Sequence, residues 1–196
     1  MSHFFAFLAR MKFIHRWGLM RNTTRENIQE HSLQVGMIAH GLAVIRNAHF
    51  GGNIDPKKVA LLGMYHEVSE IFTGDLPTPV KYFNPQIKEV YQEIENMAQK
   101  RLFHALPAEL QEYYRDLLIK RDEDAELWQL VKAADKISAY LKCLEEMKVG
   151  NQEFSVAFKM LQQELENTNL PEVKYFIEVF APSFKLSLDE LNKPAE

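Results

Sequence analysis

The sequence predicts a single all-α domain spanning residues 1–196, and three observations support it. Apolar residues recur at three- and four-residue steps through almost the whole chain, the spacing that gathers them on one face of a helix. Prolines fall between these runs rather than inside them, where they punctuate helices. No segment shows the sustained apolar–polar alternation of a half-buried strand.

The first clear helix starts before His31 and carries Val35, Ile38, Leu42 and Ile45 on one face. Asn27 or Thr24 can cap its start, and Gly51–Gly52 ends it. Pro56, at a favoured first-turn position, opens a second helix with Val59, Leu62, His66 and Glu70 on one side. The stretch GDLPTPVKYFNP holds three prolines and a glycine and reads as a loop. Pro85 starts a long helix through Tyr91, Ile94 and Met97 towards Leu106, and Pro107 starts another. Residues 124–149 form a further helix stopped by Gly150–Asn151, and helices over about 153–167 and 171–181 complete the chain. The acids Asp122, Glu123, Asp124 and Glu126 read as a solvated helix start, where negative charge suits the helix dipole. Met20, Met37, Met64 and Met97 read as packing residues.

Composition narrows the function. With 46% apolar and 26% charged residues the chain is ordinary for a globular protein. A net charge of −4 argues against binding polymeric nucleic acid, which calls for a basic surface. No apolar run approaches the roughly 20 residues of a membrane span. Cys143 is the only cysteine, so no intrachain disulfide forms. A buried Cys143 and a reducing, cytoplasmic setting are expected.

His31, the pair His66–Glu67, and Asp135 are the chemically informative residues. Two imidazoles and two carboxylates suit one borderline divalent cation such as manganese, iron, cobalt, nickel or zinc, and suit calcium poorly. Each has a plainer reading: a histidine on an apolar stripe is commonly a satisfied core residue. Asp135 faces away from the stripe Leu127, Leu130, Ala134, Ile137, Leu141 and Leu144. A solvated aspartate paired with Lys132 or Lys142 explains it equally well. His40, about half a turn away from His31 on the same helix, cannot share a metal with it. The His-Glu-x-x-His pattern of zinc proteases is excluded, because its fifth position here is Glu70. Glu70 lies four residues after His66, which makes it the candidate general acid or base.

The segments EHSLQV around His31, YHEVSE around His66 and VKAADKISAYLKC around Asp135 resemble the HD-domain phosphohydrolases, and among them the bacterial 5′-deoxynucleotidases. The likeness runs from SHFFAFLARMKFIHRW to PSFKLSLDEL, which places the aromatic and basic start within the mature domain rather than in a presequence. It implies a helical bundle of the HD-domain type and one divalent ion (cobalt, manganese, zinc or nickel) held by His31, His66, Glu67 and Asp135. Arg16 and Trp17 would face the nucleotide, with arginine on the phosphate and indole against the sugar near C2′. Asp75, Leu76, Pro77 and Thr78 would contact substrate, with Glu67 and Asp135 beside it. The implied reaction removes the 5′-phosphate from deoxyribonucleoside 5′-monophosphates, by attack of a water acidified by the metal. Arg16 would stabilise the phosphoryl charge, and the chain would work as a homodimer. One departure matters: the family's His–Asp doublet reads His66–Glu67 here. It leaves open a catalytically impaired nucleotide-binding protein, beside a related enzyme acting on another phosphoester.

Overall fold

The computed structural model describes residues 1–81 and 83–193, apart from the side chain of Thr78. Among these, regular structure is helical, with one isolated bridge between His15 and Asn27. In chain order the helices are α1 (Phe4–Leu8), α2 (Ile28–His49), α3 (Pro56–Tyr65), α4 (Glu70–Thr73), α5 (Thr78–Lys81), α6 (Pro85–Ala105), α7 (Ala108–Leu118), α8 (Ala125–Lys148), α9 (Ser155–Glu166), α10 (Pro171–Val179) and α11 (Leu188–Leu191). Short 3₁₀ turns join several of them.

Helix α2 begins at an Asn27 capping box. The Asn27 side chain accepts the Gln29 and Glu30 amides, and Glu30 reaches back to the Asn27 amide. Thr24 has a different partner, Lys142. The main core lies between α2, α3 and α8, with Val35, Leu42, Val59, Leu62, Leu130, Ile137 and Leu141 buried in it. A second core gathers Phe4, Met11, Ile28, Val68, Leu102 and Leu118 under α1, α6 and α7.

Helices α2 and α3 touch backbone to backbone. A Cβ added at Gly63 would lie 2.9 Å from the Gly36 Cα. Larger residues at this crossing would separate the two helices.

Several sequence expectations are corrected. The Pro56 helix does not run on through Glu70. It stops at Tyr65, and residues 66–69 turn with i→i+3 bonds such as Glu70 N–H to Glu67 O at 3.0 Å. The turn carries the chain from the first core, which holds Leu62, to the second, which holds Val68. The proline-rich stretch is not all loop, since Thr78–Lys81 makes one helical turn. Asp124 is buried, not solvated, because Lys58 and Arg121 neutralise it. Met37, Met64 and Met97 are exposed rather than core residues.

Candidate active site

Three elements meet at one corner of the main core. His31 is fully buried in the first turn of α2, His66 and Glu67 follow the last turn of α3, and Asp135 projects from α8. The Gly36–Gly63 contact brings the two imidazole rings to 5.3 Å between centroids. Asp135 Oδ1 stands 3.1 Å from His31 Nε2 and 4.0 Å from His66 Nε2, and Glu67 Oε1 stands 3.4 Å from His66 Nε2. One donor atom from each of the four residues lies within 4.8 Å of all the others.

The donor chemistry fits a cation. His66 Nδ1 lies 2.7 Å from the Gly63 carbonyl, which can only accept, so Nδ1 carries the proton and Nε2 presents a lone pair. The Nε2 atoms of His31 and His66 are both buried without a well-formed hydrogen bond. Buried polar atoms are normally paired, and a divalent ion among these four donors would pair both. The extra methylene of Glu67 does not carry its carboxylate out of the group.

The site's electrostatics are strongly polarised. Burial and the Arg16 charge lower the His31 pKa, favouring a neutral ring. Burial opposes ionisation of Asp135, yet His31, His66 and Arg16 together hold its carboxyl well below the usual range. Glu70 behaves oppositely. Burial, the Glu67 charge, a hydrogen bond with Glu67 and the nearby Asp75 push its carboxyl up to about 11. Glu70 therefore pairs with Glu67 rather than with His66.

Arg16 and Trp17 border the same corner. Arg16 Nη1 donates to Glu26 Oε2 at 3.0 Å, and Nη2 lies 3.8 Å from Asp135 Oδ1. Trp17 is the only non-glycine at positive φ among the described residues, at 59°, a conformation costing about 1–3 kcal/mol. Its indole donates to the same Glu26 oxygen at 3.0 Å, and its ring packs on Phe154. The Trp17 backbone also hydrogen-bonds Asp75, whose carboxyl is nonetheless raised, by burial and by Glu67. Leu76 and Pro77 are half-buried in this loop, and the Thr78 side chain lies outside the described residues.

The family model described as 5′-deoxynucleotidase YfbR-like matches residues 3–184. The chain belongs to the YfbR-like 5′-deoxynucleotidase family. It is 54% identical over 191 residues to a 5′-deoxynucleotidase of Vibrio parahaemolyticus, covering 97% of this chain and 98% of the relative. It is also 54% identical over 192 residues to the 5′-deoxynucleotidase YfbR of Escherichia coli, covering 98% and 96%. An HD-domain phosphohydrolase from Listeria innocua shares the fold, with a TM-score of 0.80 and 23% identity over 97% of this chain and 92% of that one. The cyanophage S-2L HD phosphohydrolase DatZ, solved with dA and one catalytic Zn²⁺, aligns with a TM-score of 0.62 and 23% identity over 91% and 96%.

In this YfbR-like chain the structure also supplies residues that sequence reasoning missed. Glu26 holds both Arg16 and Trp17, and nothing in its spacing marks it. Glu146, fully buried on α8, accepts Thr23 and Thr24 amides, the Thr23 hydroxyl, Lys142 and Asn151. Although burial opposes it, these bonds hold Glu146 down to about 2. Lys142 is therefore committed to Glu146 and Thr24, not to Asp135.

Proposed function

We propose that this chain is a metal-dependent phosphoric monoester hydrolase that converts deoxyribonucleoside 5′-monophosphates to deoxyribonucleosides and phosphate. The observation that carries the reading is the meeting of the Arg16 guanidinium with the four-donor group, Nη2 lying 3.8 Å from Asp135 Oδ1. A phosphoryl group placed there would meet fixed positive charge from two directions. The family's name and the relatives' names support the same substrate class.

His31, His66, Glu67 and Asp135 would hold the ion. When bound, a divalent metal supplies Lewis acidity and an acidified water at the phosphorus. Nitrogen and carboxylate donors favour manganese, cobalt, nickel or zinc. Arg16 binds and orients the phosphoryl oxygens through its N–H groups. Trp17 forms a rigid wall at the sugar, and the loop Asp75, Leu76, Pro77 and Thr78, tied to the Trp17 backbone through Asp75, would contact the substrate. Glu70 keeps its proton at neutral pH in the metal-free chain. In this scheme Glu70 is the general acid, giving that proton to the 5′-oxygen as the P–O bond breaks.

The impaired-enzyme alternative rests on Glu67, whose carboxylate stays with the other donors, and this favours an active site. We further propose one domain over residues 1–196 and a homodimer. Leu33 and Met37 on α2, with Leu61 and Met64 on the adjoining α3, are exposed apolar side chains suited to a partner. No helix among the described residues is long and apolar enough to cross a membrane, and the buried lone Cys143 suits a cytoplasmic protein.

The test is phosphate release at fixed metal from deoxy- and ribonucleoside 5′-monophosphates, deoxynucleoside 3′-monophosphates and cyclic nucleotides. Preference for the deoxy 5′-monophosphates is expected. Equal rates on ribonucleotides, or preference for a cyclic substrate, would overturn the assignment.

A further inference from the structure

Helices α2 and α8 face each other across the site with two matched rungs. His31 opposes Asp135, and one turn further along each helix Gln34 opposes Ser138. Ser138 is fully buried; its Oγ lies 3.1 Å from His31 Nδ1 and donates to Gln34 Oε1 at 2.7 Å. A hydroxyl has one hydrogen. With that hydrogen given to Gln34, Ser138 offers His31 only a lone pair, which a proton on Nδ1 must meet.

Arg16 competes for the same nitrogen, its Nη1 lying 2.8 Å from His31 Nδ1. A guanidinium only donates, so its contact requires Nδ1 to be bare. In a neutral ring the proton then sits on Nε2, facing Asp135, where it excludes a cation. The two contacts thus belong to opposite tautomers of one ring.

We propose that Ser138, aligned by Gln34, is a positioning residue that holds His31 in the tautomer with Nε2 free for the divalent ion. The hydroxyl oxygen accepts a hydrogen bond from Nδ1–H, and Arg16 keeps its bond to Glu26 while turning its remaining N–H groups to the phosphate. Neither Ser138 nor Gln34 belongs to the four-donor group; both act through His31. The inference rests on the four-donor metal reading, so its test reads metal binding directly.

The experiment measures Zn²⁺ affinity of the purified full chain by competition with a chromogenic chelator, together with ¹⁵N histidine spectra of the zinc-loaded protein. Ser138→Ala should weaken zinc about 10–100-fold, as loss of a ligand's outer partner does. Gln34→Leu should weaken it several-fold, whereas Gln34→Glu, which still accepts, should bind as tightly as wild type or tighter. The wild-type spectrum should show His31 protonated at Nδ1. Zinc affinity of Ser138→Ala within threefold of wild type would overturn the proposal. So would equal weakening by Gln34→Glu and Gln34→Leu, because the hydroxyl would then run in the other direction. Should Ser138→Ala fail to fold, the Gln34 pair decides. A wild-type chain that binds no zinc would overturn the metal reading itself.

Discussion

The two halves of the site are held in position by different physics. The metal corner is built from helices whose packing leaves little freedom: His31 and Asp135 are set by the α2–α8 core, and His66 by the glycine contact between α2 and α3. The substrate side is irregular backbone, pinned by two carboxylates. Glu26 gathers Arg16 and Trp17, while Glu146 anchors Thr23 and Thr24. A core can place a ligand through dozens of weak contacts. A loop needs a few strong, buried polar ones. Trimming one core side chain should therefore shift the metal corner only slightly, whereas loss of Glu26 on the substrate side releases both proposed recognition residues at once.

The largest effect sharpens the metal corner. Glu70→Gln should lower kcat by about 10²–10⁴-fold, the usual worth of a general acid, while the metal-free protein gains stability. The sign follows from the raised pKa. A carboxyl lifted on folding from its ordinary value to about 11 contributes stability that is full at low pH and declines as pH rises between those values. Glutamine cannot ionise and escapes that loss. Melting curves of both chelator-stripped proteins between pH 5 and 9 should therefore separate in favour of the variant, and increasingly so with pH. Parallel curves would mean that Glu70 is not protonated in the folded chain.

On the substrate side, Arg16→Ala should lower kcat by about 10²-fold or more, the cost of losing a preorganised charge contact in the transition state. A raised KM with unchanged kcat would reduce Arg16 to uniform binding. Trp17→Ala should shrink the deoxy-over-ribo preference, on the order of 10-fold. Glu26→Ala should reproduce part of both losses at once, since its Oε2 accepts from Arg16 and Trp17 together. Wild-type folding with both parameters unchanged would break the contrast drawn between the two halves.

The smallest effect concerns Glu67. Glu67→Asp, which installs the residue that the HD-domain resemblance implies at this position, should tighten metal binding or raise activity at limiting metal by a few-fold, because ligand distances tolerate only about 0.2 Å. Glu67→Ala should weaken both. An inactive wild type beside an active Glu67→Asp variant would establish the impaired-enzyme reading.

The same contrast explains what the sequence made legible. Helix spacing revealed α2 and α8 because burial imposes a period, and Val35, Ile38, Leu42, Leu130, Ile137 and Leu141 follow it. The turn at 66–69 escaped because His66 and Glu70 keep the helical spacing of Val59 and Leu62, although the chain between them turns to place Val68 in a different core. Asp135 was ambiguous from physics alone, since its partners lie on another helix and spacing within α8 cannot show them. Glu26, Glu146 and the positive φ of Trp17 were invisible for a related reason. Each acts through contacts set by the fold, and no local pattern records a carboxylate that reaches back ten residues or across to a distant loop. The family resemblance supplied Arg16 and Trp17, and the structure supplied what holds them.

The most direct test of the central claim, one divalent ion at four donors driving phosphate release, is a paired titration of the chelator-stripped chain with Co²⁺ or Mn²⁺. Bound metal and dAMP hydrolysis would be measured on the same samples, beside His66→Ala. The account predicts that activity is absent without metal and rises in proportion to occupancy up to one ion per chain. His66→Ala should fold but neither bind the ion tightly nor release phosphate. Phosphate release that persists after stripping, or full occupancy without hydrolysis, would contradict it.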